Sequence, residues 1–519
     1  MPGDAGCPVP RHGARVCEVS VVASWRATVA SCAVVGVIVA SGGAAAAAGP
    51  AASGVGGRGA GAVRGSEWGK AIVVPGTRSL NAGVGLDSMS CASPGDCTAA
   101  GVYGHYNHGI YVVSQVRGIW RRAVELPGLA ALNKHRAGVG GVSCASGGNC
   151  SMGGSYTDGA GHGQAFVASQ VRQRWRRAVE APGTAALNTG GSAGIGPISC
   201  ASPGNCTAGG SYRSGAGLQA FVISQVRGAW AKAVPVPGLE ALNIGGTAGI
   251  TSISCASPGN CTAAGFYRDA GRNVQAFAVS QVNGIWGQAI EVPGTAGLNT
   301  GGYAAVSAVS CGSPGNCSAV GNYGDSVGLE YPFVASQVKG TWRTATKIPG
   351  MTALNSYGAG VGYAISCGPA GDCVAAGSEG PSNGYDYGGG GKPFVVTEAN
   401  GTWGRARHLP GMKRLNTGSD GAVTSVSCPA PGSCSAAGYY GVGTPGDRVY
   451  NLEVFVVSES RGSWGHASEI PGTAALNKGK WATVGALSCA APGKCSVGGG
   501  YIGGSDHGEA FVDTSSGRP

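Results

Sequence analysis

Ser254–Gly265 reads SCASPGNCTAAG, two cysteines with five residues between them around a Ser-Pro-Gly-Asn turn. Slightly altered, the phrase occurs eight times, its second cysteine falling at Cys97, Cys150, Cys206, Cys261, Cys317, Cys373, Cys434 and Cys495. Successive spacings are 53, 56, 55, 56, 56, 61 and 61 residues. Two further series keep the same beat. One is Trp68, Trp120, Trp175, Trp230, Trp286, Trp342, Trp403 and Trp464. The other is a Leu-Asn pair ending at Asn81, Asn133, Asn188, Asn243, Asn299, Asn355, Asn416 and Asn477. Three independent markers agree on eight units.

Within the fourth unit, GITSISC (Gly249–Cys255), CTAAGFY (Cys261–Tyr267) and VQAFAVSQV (Val274–Val282) read as three strands. After Asn-Gly, IWGQAIEVPG (Ile285–Gly294) reads as a fourth strand stopped by Pro-Gly. No 3.6-residue apolar period interrupts them. Four antiparallel strands in about 55 residues match the blade of a β-propeller. The ends of the chain sharpen this. Trp68 belongs to a fourth strand with no three before it, and EAFVDTSS (Glu509–Ser516) is a third strand with no fourth after it. Pairing the two fragments closes a ring and removes the open edge. The expected fold is an all-β, eight-bladed propeller over residues 67–516, with 517–519 as a short tail.

Of 519 residues, 99 are glycine and 12% are charged, too apolar for disorder and too glycine-rich for a mostly helical chain. The net charge of +10 is spread thinly without a Lys/Arg run, so nucleic acid is not an expected partner. At the N-terminus, Arg11, Arg15 and Arg26 precede the apolar stretch Ala27–Gly43 and small residues near Ala46–Ala48. Residues 1–48 therefore read as a signal peptide and 49–66 as a Gly/Ala-rich linker. The competing reading is a retained anchor, since Ala27–Ala48 is uncharged, but its Ala/Gly/Ser content is only weakly hydrophobic. No stable membrane span is expected after cleavage. The protein is expected outside the cell, with cell-wall association open, and as a monomer.

Each Cys-x5-Cys sits on a strand–turn–strand hairpin, where cross-strand residues approach to about disulfide distance. Structural zinc wants four ligands at closer spacing, and no histidine recurs beside these pairs. In an exported chain the pairs read as disulfides Cys91–Cys97, Cys144–Cys150, Cys200–Cys206, Cys255–Cys261, Cys311–Cys317, Cys367–Cys373, Cys428–Cys434 and Cys489–Cys495. Cys7, Cys17 and Cys32 fall in the signal region. No metal and no cofactor are expected. The Asn-Cys-Thr/Ser triplets match a glycosylation sequon but recur because the turn recurs.

The pattern SC-x5-C-x-A-x-G … FV-x-SQ-V-x-G-x-W resembles secreted actinobacterial repeat proteins predicted to be β-propellers. The turn SQVNGIW (Ser280–Trp286) also resembles a degenerate Asp-box of sialidase-like propellers, without its Asp and one residue shorter. The resemblance covers residues 67–516. It implies the fold and export, and no settled activity.

In a propeller, loops from second to third strands and from fourth strands to the next blade share one face. The cysteine hairpins and SQV-x-G-x-W turns then lie on the other. Variable loops on the first face carry the candidate ligand-binding residues Tyr103, His105, Tyr106, Tyr156, Asp158, Arg268, Asp269, Asp325, Tyr385, Asp386, Tyr387, Asp447, Arg448 and Asp506. Blades six and seven have the longest, Ser378–Lys392 and Tyr439–Glu453, expected to form a ridge. Tyrosine with Asp, Asn and Arg suits contact with glycan or peptide. The same composition also describes ordinary solvated loops. The recurring Asn is expected to cap a turn, and the Trp series to pack blades. Arg121–Arg122 and Arg176–Arg177 are expected on outer strands, where charge discourages edge pairing; contact with an anionic polymer is the minority reading.

These features point to a non-catalytic binding module for an extracellular glycan, a cell-wall polymer or a protein. The alternative is an extracellular glycosidase of sialidase type or a polysaccharide lyase, with Asp325, Glu330, Asp386, Asp447 and Asp506 as loop acids. No positioned nucleophile–base set stands out, so no catalytic residue is assigned. A quinone-dependent dehydrogenase is set aside because its tryptophan-docking motif and adjacent-cysteine disulfide are missing.

Overall fold

The computed structural model describes residues 68–80, 83–104, 107–355, 358–369, 371–380, 391–443, 451–504 and 507–515. By its contacts the chain separates into units 1–35 and 36–519, and every described residue falls in the second. The expected signal peptide, linker and tail lie outside the described residues.

Eight antiparallel sheets follow one another, each unit building one blade of a propeller. In blade four the inner strand Ala248–Ser257 pairs with Asn260–Arg268, which pairs with Val274–Val282. The other inner strands begin at Ser88, Ala137, Ala193, Ala304, Gly360, Gly421 and Ala482. Blade eight is assembled from both ends of the chain: Ile72 pairs with Val512 and Val73 with Phe511. Trp68 bridges Ser515, so the N-terminal strand does complete the last three.

The fourth strand differs from expectation. In blade four it is two short pieces, Ile285–Trp286 and Ile290–Glu291, both paired to the third strand. Between them the Ala289 N–H turns away and donates to Pro237 O of the preceding blade at 2.7 Å. The Leu-Asn connection also differs, carrying a one-turn helix such as Leu239–Leu242. It follows Gly238 at φ +75°, a conformation costly for a side chain.

The recurrent residues lock blade to blade. The serine before each first cysteine accepts a hydrogen bond from the next blade's cysteine N–H. Ser90 takes Cys144, Ser143 Cys200, Ser199 Cys255 and Ser254 Cys311, all at 2.9–3.0 Å. Ser310 takes Cys367, Ser366 Cys428, Ser427 Cys489 and Ser488 Cys91 at the same distances, and the last bond closes the circle. An outer ring repeats the logic: alanine N–H groups donate to the Pro-Gly carbonyl of the preceding blade, ending with Ala71 to Pro471 at 2.8 Å.

Between the rings lies the core. One third-strand aromatic per blade is fully buried: Tyr111, Phe166, Phe221, Phe277, Phe333, Phe394, Phe455 and Phe511. Each apolar cluster draws on two adjacent blades, as where Ala264 and Ala278 meet Val306 and Phe333. Burying each such ring contributes about 2 kcal/mol or more. The C-x-A-x-G glycine is required by this packing, since a Cβ on Gly265 would lie 2.0 Å from Gly249 O.

All eight cysteine pairs are disulfides with Cα separations of 3.9–4.1 Å, and in every blade but the seventh the partners stand directly opposite in register. They are buried between blades rather than displayed: Thr207 Oγ1 lies 3.3 Å from Cys261 Sγ of the next blade. Eight disulfides fit maturation in an oxidising compartment. Among the described residues, no helix is long and apolar enough to cross a membrane.

Candidate functional site

The cysteine hairpins and the third-to-fourth turns occupy one face and hold each other. Gly284 N donates to Gly259 O at 2.8 Å, and Asn283 N to Asn260 Oδ1 at 3.2 Å. The Asn260 amide also donates to Ser257 Oγ, so the asparagine of the sequon-like triplet is used by its turn. The opposite face carries the variable loops and the Leu-Asn connections. There Asn243 donates to Leu218 O and Gln219 Oε1 and accepts from Thr247 N. The recurrent asparagine is thus a capping residue.

Several sequence candidates on this face are taken up by their own loops. The Asp158 carboxylate accepts from Ala160 N, His162 N and Gln164 Nε2, all at 2.9 Å. Led by the Gln164 bond, these contacts hold it below the usual carboxylate range. Asp269 accepts from Asn273 N and Gln275 Nε2, and Asp325 from Val327 N, Leu329 N and the Tyr331 hydroxyl. For both, burial pushes the carboxyl up but the donors outweigh it, and it sits low. The three acids are stably ionised and shape their loops.

Tyr156, expected on the surface, is a core residue at 4% exposure whose hydroxyl donates to Glu180 Oε2. Tyr103 packs over Gly109 and its hydroxyl bonds Glu125. The backbone N–H of Arg268 donates to Asn243 Oδ1, and its buried Nε has no partner. His105, Tyr106, Tyr385, Asp386, Tyr387, Asp447, Arg448 and Asp506 lie outside the described residues, as does most of the expected ridge.

A different group comes together over blades five to seven. The inner strand of blades two to eight bulges at the residue four before its first cysteine, where register breaks between Gly362 and Ala364 in blade six. In blades four and seven this side chain reaches the next inner strand: Thr251 Oγ1 donates to Val306 O at 2.6 Å and Thr424 Oγ1 to Val484 O at 3.4 Å. In blade six the residue is Tyr363. The charges of Glu330, from blade five, and Asp420, from blade seven, both act on it, and burial with these charges pushes it up to about 12. Tyr439, opposite Ala422 on the second strand of blade seven, is raised by burial and by Tyr363 and Asp420. Tyr303 bridges Val274 at the entrance to blade five. It is 37% exposed yet closely surrounded, and burial with the Glu330 charge holds it near 12.

Asp420 is fixed through its backbone, its N–H donating to Asn416 Oδ1 at 3.0 Å. Burial alone raises its carboxyl. Three neutral tyrosines and two acids thus lie within electrostatic reach of one another, a combination able to stack against a ring and hydrogen-bond its edge. Only Glu330 was a sequence candidate. The signal for the others is departure from the repeat. At the bulge position Tyr363 replaces Asp87, Gly140, Gly196, Thr251, Ser307, Thr424 and Gly485. Tyr439 stands where the other blades have Val102, Ser155, Ser211, Phe266, Asn322, Ser378 and Gly500. Among the described residues, no group of three or more His, Cys, Asp or Glu is placed to hold a metal.

No protein-family model matches the chain, and no curated protein matches it. Solved structures resemble it at the level of fold. A protein of unknown function from Dyadobacter fermentans is 11% identical, with TM-score 0.38, over 87% of this chain and 100% of its own. A xyloglucanase from Xanthomonas campestris is 14% identical, with TM-score 0.37, over 86% and 67%. A fucose-specific lectin from Aleuria aurantia is 10% identical, with TM-score 0.30, over 63% and 97%. Fold by itself does not give activity.

Proposed function

We propose that the protein is a secreted, non-catalytic binding module that takes an extracellular glycan, a cell-wall polymer or a protein partner on its loop face. One observation carries this. The serine, cysteine, asparagine and proline that recur in each blade are consumed in holding the ring, whereas Tyr303, Tyr363, Tyr439, Glu330 and Asp420 occur once and converge. Neutral tyrosines offer faces for sugar rings and hydroxyls for their edges, and the acids accept from ligand hydroxyls. The test is a glycan array with the mature protein, followed by Tyr363→Ala and Tyr439→Ala. Specific binding should weaken at least about tenfold in each variant, as loss of a stacking anchor does. Unchanged binding would move the site elsewhere.

A second reading, an extracellular glycosidase or polysaccharide lyase, draws on Asp420, a carboxyl raised by burial beside Tyr363. It requires turnover of a bound glycan that Asp420→Asn abolishes while binding survives.

A further inference from the structure

The outer rim of blades one and two carries a charge pattern that the loop face does not use. Arg121 and Arg122 in blade one, and Arg176 and Arg177 in blade two, follow the exposed edge of the broken fourth strand, and all four are exposed. The adjoining turns add exposed Arg117, Arg172 and Arg174. Corresponding stretches elsewhere are poorer. Blade four offers none in Asn283–Ala289, and blade seven only Arg461 in the matching Arg461–Ala467.

None of these seven arginines joins an ion pair among the described residues, where the three ion pairs are His162–Asp158, Lys392–Glu379 and His408–Glu379. The acids along the same rim are engaged: Glu125 and Glu180 receive the hydroxyls of Tyr103 and Tyr156, and Asp96 accepts from the Ser93 hydroxyl and from the backbone N–H of Arg117. Discouraging edge pairing needs one or two charges per strand, so seven exceed that role. The chemistry is also one-sided. All seven are Arg, whose planar fork pairs two-pronged with oxyanions where Lys acts as a point charge. Between them stand half-buried Trp120 and Trp175 and exposed apolar side chains, Ile119 at 60%, Val124 at 51% and Val179 at 49%. Bases of a single strand can also stack on tryptophan, but the exposed aliphatic side chains between the arginines suit the C–H faces of pyranose rings better than stacked bases.

We propose that this rim binds a linear acidic polysaccharide, its carboxylates taken by the arginines of two successive blades and its rings lying against the intervening tryptophans and aliphatic side chains. The site is separate from the loop face and carries a charge requirement of its own.

The test uses the whole mature protein and size-matched oligosaccharide probes, oligogalacturonate and its methyl-esterified neutral form, with binding measured calorimetrically across a salt series. Oligogalacturonate should bind, the ester should not, and the dissociation constant should climb steeply with salt. The variant R121Q/R122Q/R176Q/R177Q changes only exposed side chains and should keep the wild-type melting temperature while losing about tenfold or more in affinity. R405Q/R407Q on blade six should bind as the wild type does. Equal binding by the quadruple variant, or by the neutral ester, overturns the proposal. Arginine-dependent binding of single-stranded DNA or anionic vesicles as tight as that of oligogalacturonate overturns the assignment to a polysaccharide.

Discussion

Blades one to five and blades six and seven solve the same contact with different chemistry. In the first group the last residue but one of the third strand is a glutamine: Gln115, Gln170, Gln225, Gln281 and Gln337. Its amide bridges blades, Gln225 Nε2 donating to Ser169 Oγ and to Gly228 O while Oε1 accepts from Ser151. In blades six and seven the position holds Glu398 and Glu459, both buried; in blade eight it holds Ser515, and a buried acid, Asp513, stands two residues earlier. Glu398 accepts from Ser318 and from Ser336 at 2.7 Å, but a carboxylate cannot donate to its turn carbonyl. Glu459 Oε2 and Asp513 Oδ2 have no partner. Burial raises all three, Asp513 to about 6. The lesson is that one framework position tolerates an amide or an acid, but only the acid ties that sector to pH.

The sign follows from the raised values. An acid held above its solution value is protonated in the folded chain where the unfolded chain has already ionised. Its contribution is therefore intact below the ordinary 3.8 and lost as pH climbs through about 6 for Asp513. The triple variant E398Q/E459Q/D513N should accordingly show the largest effect. Asp513→Asn alone is expected to add about 3 kcal/mol at pH 8, and the gain should vanish at pH 4, as read by denaturant unfolding at both values. A gain that ignores pH would break the comparison.

Next in size is the loss of one staple. Replacing both cysteines by alanine in blade four (Cys255, Cys261) or blade seven (Cys428, Cys434) should cost about 2–3 kcal/mol in either sector, since the closed loop is the same length. Unequal costs would mean that the acid-bearing sector is already loosened. Gln225→Glu, which imports the acid into the first group, should destabilise by about 1–3 kcal/mol at pH 8 and less at pH 5. Smallest is the inner ring. Ser254→Ala and Ser427→Ala should each cost about 1 kcal/mol without pH dependence, which separates a ring common to all blades from the position that divides them.

Blade six holds the converse case. Where most blades place a core tyrosine, it has Glu379, which meets His408 at 3.1 Å, Asn355 at 2.7 Å and Lys392 at 3.3 Å. Burial pushes this carboxyl up, but the three partners outweigh it and hold it low. Its contribution is present above the usual carboxylate value and lost as pH falls, opposite to Glu398 in the same blade.

The tyrosines show where sequence reading misjudged burial. Tyr156 stands beside a glycine-rich loop and reads as surface, yet it closes a strand whose alternate side chains enter the core. Tyr363 reads as one more strand residue, although the bulge turns it toward its neighbours. A bulge shifts the two-residue alternation by one, and nothing local in GVGYAISC announces it.

By itself the sequence determined the eight units, the closure of the ring by Trp68–Val73 and the pairing of the cysteines, because each rests on a period or a turn written into a few consecutive residues. Only the tertiary structure decided that the repeated serine binds the next blade's cysteine N–H and that blades five to seven bring Tyr303, Tyr363, Tyr439, Glu330 and Asp420 together. Those contacts join residues tens of positions apart across blades, and their partners follow from strand stagger and bulge geometry, which appear only once the ring has closed.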